Sequence, residues 1–272
     1  MTTTTAFEFT TPPVRHLAPR PATATPATLA PRAMQAAPPA TSAMLCERIA
    51  RTLALLQEQV DIVRRVVRAG DAVYQAGAAM ESLYIIHSGF FKTINLSADG
   101  REQVVGLHFK GDWLGFDGIA EGQFGCDAVA MDTGEVWSIR YDALLAACLK
   151  SPPLLAAMHA AMSREIGRDR DSMMSLCTLP ADARVAEFLR NWAEALSQRG
   201  MRTDSITLRM SRAEIGNYLG MTLETVSRAL SRLARGGFIE FAEKGRREVR
   251  IPDQSALGAF VQGSLAPTAT LQ

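Results

Sequence analysis

Close cysteine pairs, long apolar runs and aromatic side chains are all scarce in this 272-residue chain. Its four cysteines, Cys46, Cys126, Cys148 and Cys177, stand 80, 22 and 29 positions apart, so it contains no Cys-x-x-Cys or comparable ligand pair. They are read as reduced thiols that behave as small buried hydrophobes. No apolar run approaches the roughly eighteen residues that cross a bilayer, and the N-terminus lacks the basic start and apolar core of a signal peptide. The expectation is a cytoplasmic chain without a membrane partner. A glycine-rich phosphate loop, a His-Glu-x-x-His pair and a Gly-x-Ser-x-Gly elbow are also missing, so the chain is read as no enzyme.

What is present is unevenly spread. The net charge is only +1, yet Met44 to Lys150 carries 10 basic and 14 acidic residues, and Leu208 to Arg250 carries 9 and 5. The positive charge therefore sits near the C-terminus, the distribution expected of a nucleic-acid-binding end. Residues 1–43 are dominated by Thr, Ala and Pro and hold too little apolar surface to offset the entropy of ordering. A disordered tail is expected there, and a second tail over 256–272.

Between the tails the texture changes three times. Leu45, Ile49, Leu53, Leu56 and Val60 recur at helical spacing, predicting a short amphipathic helix from Met44 to about Val63. Short alternating runs such as Leu83 to His87 and Gln103 to Phe109 follow, punctuated by glycines and by the hairpin signal Ala98-Asp99-Gly100-Arg101. They predict a β-roll or jelly roll, the sensor domain, over 44–150. A long helix is then predicted over 151–179, with Ser151 as N-cap and proline in its first turn. Its seam reads Leu155, Met158, Met162, Ile166, Met173 and Leu176, spaced to pack against a second helix, with the charge of Asp169 on the same line. Beyond Pro180 another stripe, Val185, Leu189, Trp192 and Leu196, opens a domain over 180–255. The fold class is therefore α+β.

That last domain carries the chemistry. Ser211 and Glu214 form a capping box for a short helix, Gly220-Met221 makes a turn, and Thr222 caps a second helix from Leu223 to Arg235. This is the length of a helix-turn-helix. Val226, Leu230 and Leu233 fall on the inner face of the second helix, and Glu224, Arg228, Arg232 and Arg235 fall opposite, with Ser227 beside them. An arginine near the start of such a helix donates twice to guanine, and a carboxylate accepts from cytosine. The candidate DNA-binding set is Ser211, Arg212, Thr222, Glu224, Thr225, Ser227, Arg228 and Arg232, joined by Arg246 and Arg247 at the tip of a C-terminal hairpin. Such a hairpin suits a wing on phosphate, which positions the protein without selecting sequence.

On these residues the chain resembles the CRP/FNR superfamily of bacterial regulators, and within it the FNR branch, from about Met44 to Pro252. The resemblance is carried by Gly111-Asp112-Trp113-Leu114-Gly115-Phe116-Asp117, by Ile215-Gly216-Asn217-Tyr218-Leu219-Gly220 and by Glu224-Thr225-Val226-Ser227-Arg228. It implies a homodimer on double-stranded DNA, with RNA polymerase as a further partner and control of anaerobic, nitrogen-oxide or redox metabolism. It also implies that Glu224, Ser227 and Arg228 read a TTGAT-type half-site. Met162 to Asp169 resembles the FNR dimerisation helix, where an aspartate at the Asp169 position keeps monomers apart until its charge is masked.

The sequence departs from that family in its cofactor residues. FNR proper holds an iron-sulfur cluster on four cysteines; here Cys46 stands alone near the N-terminus and Trp137 occupies the fourth position. A conventional cluster is therefore not expected. Cyclic AMP needs a cation for its phosphate, yet no Lys or Arg lies between Lys110 and Arg140, and Phe116 replaces a ribose-contacting glutamate. Haem through His87 or His108 is left open, and Cys177 is a candidate redox handle. The competing functional reading is a ligand-regulated binding protein of the cyclic-nucleotide type that acts through a partner protein.

Overall fold

The computed structural model describes residues 42–96, 100–203, 205–242 and 247–265. The N-terminal tail up to residue 41 lies outside the described residues, as do Ala98 and Asp99 of the hairpin signal. The first described element is helix α1 (Ser42–Gln59), which buries Leu45, Ile49, Leu53 and Leu56 as its spacing requires. It stops four residues short of the expected Val63, because that β-branched residue opens strand β1 and pairs with Ser138.

The roll is built from β1 (Val63–Val67), β2 (Ala72–Tyr74), β3 (Ser82–Ser88), β4 (Phe91–Leu96), β5 (Glu102–His108), β6 (Trp113–Leu114), β7 (Asp127–Ala130) and β8 (Gly134–Arg140). All pairings are antiparallel, in two four-stranded sheets ordered β1-β8-β3-β6 and β2-β7-β4-β5. Ile85, Ile86, Phe91, Trp113, Val136 and Ile139 are buried between them. Strand β5 lies at a sheet edge.

Helix α2 (Tyr141–Lys150) was not expected from the sequence; it buries Leu144, Ala147 and Cys148 and closes the roll. Helix α3 (Pro152–Thr178) follows directly, with proline in its first turn as expected. Ser151 stands at the N-cap, but its side chain makes no capping bond. The residue is buried between two abutting helices, and its backbone joins them: its N–H closes α2 on the Ala147 carbonyl, and its own carbonyl accepts from Leu154 and Leu155.

The C-terminal domain comprises α4 (Ala181–Ser197), β9 (Ser205–Thr207), α5 (Arg212–Tyr218), α6 (Leu223–Arg235), β10 (Glu240–Phe241), β11 (Glu248–Arg250) and α7 (Gln254–Gly263). The three strands form one sheet, β10-β11-β9. The expected tail from residue 256 is corrected by α7: Asp253 caps it by accepting from Ser255 and Ala256, and Leu257 and Val261, one turn apart, are buried with α4. The core of this domain, around Leu189, Trp192, Ile206, Leu230 and Val249, is continuous with Ile94, Val104 and Phe109 of the roll. The architecture is the expected α+β one.

Candidate nucleic-acid interface

The helix-turn-helix is assembled by local bonds that the sequence makes legible. Ser211 Oγ accepts from the Glu214 N–H at 3.2 Å, and Glu214 Oε2 accepts from the Ser211 N–H at 2.7 Å, so both halves of the capping box form. Gly220 turns the chain at φ 62°, where a side chain would strain it. At Gly216 a Cβ would stand 2.5 Å from the Met221 carbonyl oxygen, so only glycine lets α5 approach the start of α6. Thr222 Oγ1 then accepts from the Thr225 N–H at 3.2 Å and starts α6.

Helix α6 divides cleanly into two faces. Val226, Ala229, Leu230 and Leu233 are buried, whereas Glu224, Arg228, Ser231 and Arg235 are exposed and Ser227 is half-buried beside them. Its own backbone N–H and the Thr222 hydroxyl, both at the helix N-terminus, hold the Glu224 carboxyl below the usual range. Glu224 thus stays an acceptor at neutral pH. The expected reading trio Glu224, Ser227 and Arg228 lies on one outward face.

Other expected contacts are placed differently. Arg232, exposed like Arg228, gives its guanidinium fork to Asp182 of α4, at 2.6 and 2.5 Å, and so bridges two helices of its own domain. Arg212 lies over the Phe241 ring at 5.4 Å, which ties α5 to the wing strand β10. Arg246 lies outside the described residues. Arg247 is exposed at the root of the wing, where its carbonyl accepts from Leu208 N–H at 2.7 Å.

Helix α3 separates two roles that the sequence had merged. Leu154, Met158 and Ala161 face the roll and are buried in its core. Met158, expected in the dimer seam, therefore belongs to the protomer's own interior; it lies on the flank of the stripe nearest Leu154 and Ala161. Met162 packs partly against the same core. The remaining seam residues, Leu155, Ile166, Met173 and Leu176, are exposed, Met173 by 67%, and Asp169 is exposed among them. Cys177 is exposed in the next position.

A set of ties between roll and helices was missed in the sequence. Asp112, in the Gly-Asp-Trp turn, is buried and accepts from Arg168 of α3 at 2.8 Å, from Arg199 at 3.0 Å just beyond α4, and from the Phe109 N–H at 2.9 Å. Burial opposes its ionisation, but the Arg199 and Arg168 guanidinia overrule it and hold the carboxyl below its ordinary range. His108 nearby is pushed down to about 4, by burial first and then by Arg168. Lys92 of β4 pairs with Glu214 of α5, Arg209 pairs with Asp132 at 2.8 Å, and Asn217 bonds the edge of β5. Asp112 and Asn217 stand in the quoted motifs, but no local spacing says what they touch.

With this geometry in view, two domain models match the chain: a cyclic nucleotide-binding domain over residues 64–151 and a Crp-like helix-turn-helix domain over residues 183–260. The fumarate and nitrate reduction regulatory protein of Salmonella typhimurium is 36% identical over 197 residues, covering 72% of this chain and 78% of that one. The Escherichia coli protein of the same name is 37% identical over 183 residues, covering 67% and 72%. The chain belongs to the CRP/FNR family. Among solved structures, FixK2 from Bradyrhizobium japonicum matches this CRP/FNR protein with a TM-score of 0.65 and 28% identity, over 74% of this chain and 97% of that one. This chain is a DNA-binding transcription regulator of the FNR type, and the Salmonella and Escherichia relatives are named as regulatory proteins.

The residues of this family member do not fit an FNR-type iron-sulfur cluster. Its cysteines sit on four different segments: Cys46 on α1 donates to the Gln198 carbonyl at 3.4 Å, Cys126 donates to Asp117 at 3.3 Å, Cys148 is buried in α2, and Cys177 is exposed in the last turn of α3. Burial pushes the Cys126 thiol up to about 12, the opposite of what a metal thiolate needs. Trp137 is buried and stacks on His87 with ring centroids 4.8 Å apart. Among the described residues no group of three or more His, Cys, Asp or Glu is arranged to hold a metal. Within the roll Phe116 stacks on Trp113 with ring centroids 5.7 Å apart, and Tyr74 stacks on Phe124 at 3.9 Å.

Proposed function

We propose that this regulator acts as a homodimer, joined along the exposed stripe of α3, on a two-fold DNA site of the TTGAT-N4-ATCAA type. The observation that carries the reading is the outward face of α6, where Glu224, Ser227 and Arg228 stand together while every large apolar residue of the helix except Leu223 is turned inward. Arg228 has the reach to donate twice to a guanine, and Glu224 accepts from the cytosine of a neighbouring pair. The wing, with Arg247 at its root, supplies phosphate contacts.

The two half-sites are engaged about 34 Å apart, one DNA turn, as two-fold symmetry demands. Two relatives are named for fumarate and nitrate reduction, and control of anaerobic, nitrogen-oxide or redox metabolism with RNA polymerase as partner accords with that. No iron-sulfur cluster or cyclic AMP takes part, in keeping with the dispersed cysteines and the lack of any Lys or Arg between Lys110 and Arg140. Isotherms at fixed salt on the palindrome and on a copy with its G·C pairs exchanged test the reading. A preference of about a thousandfold or more for the palindrome is expected, with a dimer in sedimentation. Equal affinity for both DNAs would overturn it.

A further inference from the structure

An unpaired sheet edge shows what fixes the reading head in place. Strand β5 ends the sheet β2-β7-β4-β5, so its outer N–H and C=O groups have no strand to meet. The side-chain amide of Asn217, on α5, meets them instead. Its Oδ1 accepts from the Val104 N–H at 2.6 Å, and its Nδ2 donates to the Glu102 carbonyl at 2.5 Å. Residues 102 and 104 point their backbone groups to the same edge, and one planar amide, holding both a donor and an acceptor, stands in for a peptide unit of the missing strand. The Gln103 side chain donates in return to the Asn217 carbonyl at 2.5 Å. Aspartate could supply only the acceptor, and alanine neither group.

Two ion pairs flank this bridge. Lys92 of β4, largely buried, reaches Glu214, whose other oxygen closes the capping box of α5. Arg209 pairs with Asp132 and lies 4.3 Å from the centroid of the Phe90 ring. All these contacts hold α5 and the segment before it, and the outward face of α6 stays open while they are made. The first helix of the motif is held by the roll, and the second is left to read. The covalent link from α3 into this domain is only Leu179-Pro180, so the angle of the domain on the roll is set by these side-chain ties together with the apolar core they flank.

We propose that Asn217 is a positioning residue: by keying α5 to the edge of β5 it fixes the separation of the two recognition helices, and thereby the half-site spacing that the dimer accepts. This rests on the dimeric, palindromic reading above. Each base pair added between half-sites moves them by about 3.4 Å along the axis and rotates one about the other, a change that a rigidly held pair of domains cannot follow.

The test is a series of palindromes with the central spacer as it stands, shortened by one pair and lengthened by one and two pairs, titrated with the full-length protein and with Asn217→Ala. The wild type is expected to prefer one spacer. Loss of the two amide bonds should reduce that preference by about tenfold while the ratio between matched and G·C-exchanged half-sites stays the same. Asn217→Asp should fall between them. A folded Asn217→Ala protein with an unchanged spacer preference, or one that weakens on all spacers in equal proportion, would overturn the proposal. If Asn217→Ala does not fold, Lys92→Met tests the same attachment from the roll side and must relax the spacer preference. A wild type without any preference for the palindrome would instead sink the underlying functional reading.

Discussion

The two ends of helix α3 treat apolar side chains in opposite ways. Near its start Leu154, Met158 and Ala161 are enclosed by the roll of the same protomer, while near its end Met173, Met174 and Leu176 stand in the open. The helix-turn-helix repeats the contrast in polar form: the groups of α5 are paired with the roll, and the outward groups of α6 face solvent. Surfaces satisfied within the protomer are structural, and the two left bare are those that the proposed function assigns to a second copy and to DNA. An exposed apolar stripe on a long helix is costly to leave in water, and a charged face at a helix N-terminus is suited to base edges and phosphate.

That contrast breaks most visibly at its buried end. Leu154→Ala should remove about 2–5 kcal/mol of stability, the cost of a cavity in a closed core, since Leu154 is fully buried. Urea unfolding of the variant measures it, and a loss below about 1 kcal/mol would show that α3 is held on the roll by something else.

At the bare polar face, Arg228→Ala should leave stability unchanged and lose about 1–3 kcal/mol on the preferred DNA, with a much smaller loss on non-specific DNA. Isotherms on both DNAs separate the two; equal losses would mean that Arg228 anchors without reading. The bare apolar face is sharpened by Asp169→Ala. Removing a charge exposed among Ile166, Met173 and Leu176 should tighten the dimer by about tenfold, read by sedimentation. A weaker or unchanged dimer would place Asp169 outside the seam.

The smallest effect concerns Glu165, on the boundary between the two faces. Burial raises its carboxyl to about 7 from an ordinary 4.5, with Asp169, Asp112 and Asp117 adding to the shift and Arg168 opposing it. The folded state therefore binds the proton more tightly than the unfolded chain, so this group's contribution to stability is full below the ordinary value and is lost as pH rises through about 7. Glu165→Gln should flatten the decline in unfolding midpoint across that window. A slope identical to that of the wild type would assign the pH dependence to other groups.

The sequence by itself determined the local pieces, because each depends on neighbours a few positions away. The capping box at Ser211 and Glu214, the turn at Gly220, the Thr222 cap and the two faces of α6 all follow from short spacing, and the structure has them as expected. The α3 stripe was legible for the same reason, but its width was not. Periodicity alone does not say whether Met158, at the stripe's flank, meets a partner or its own roll, and only packing put it inside. Helix α7 was lost in an expected tail because its stripe is two residues long, Leu257 and Val261, and gains meaning only against α4.

What the tertiary structure alone decided is how the domains are joined. Asp112 gathers Arg168 and Arg199 from positions 56 and 87 residues away, and Asn217 finds its partners more than 110 residues upstream. No periodicity or local motif reaches that far. Such pairs form because folding brings a buried carboxylate and an open strand edge to places where each requires a partner, and the chain that supplies the partner is chosen by the fold.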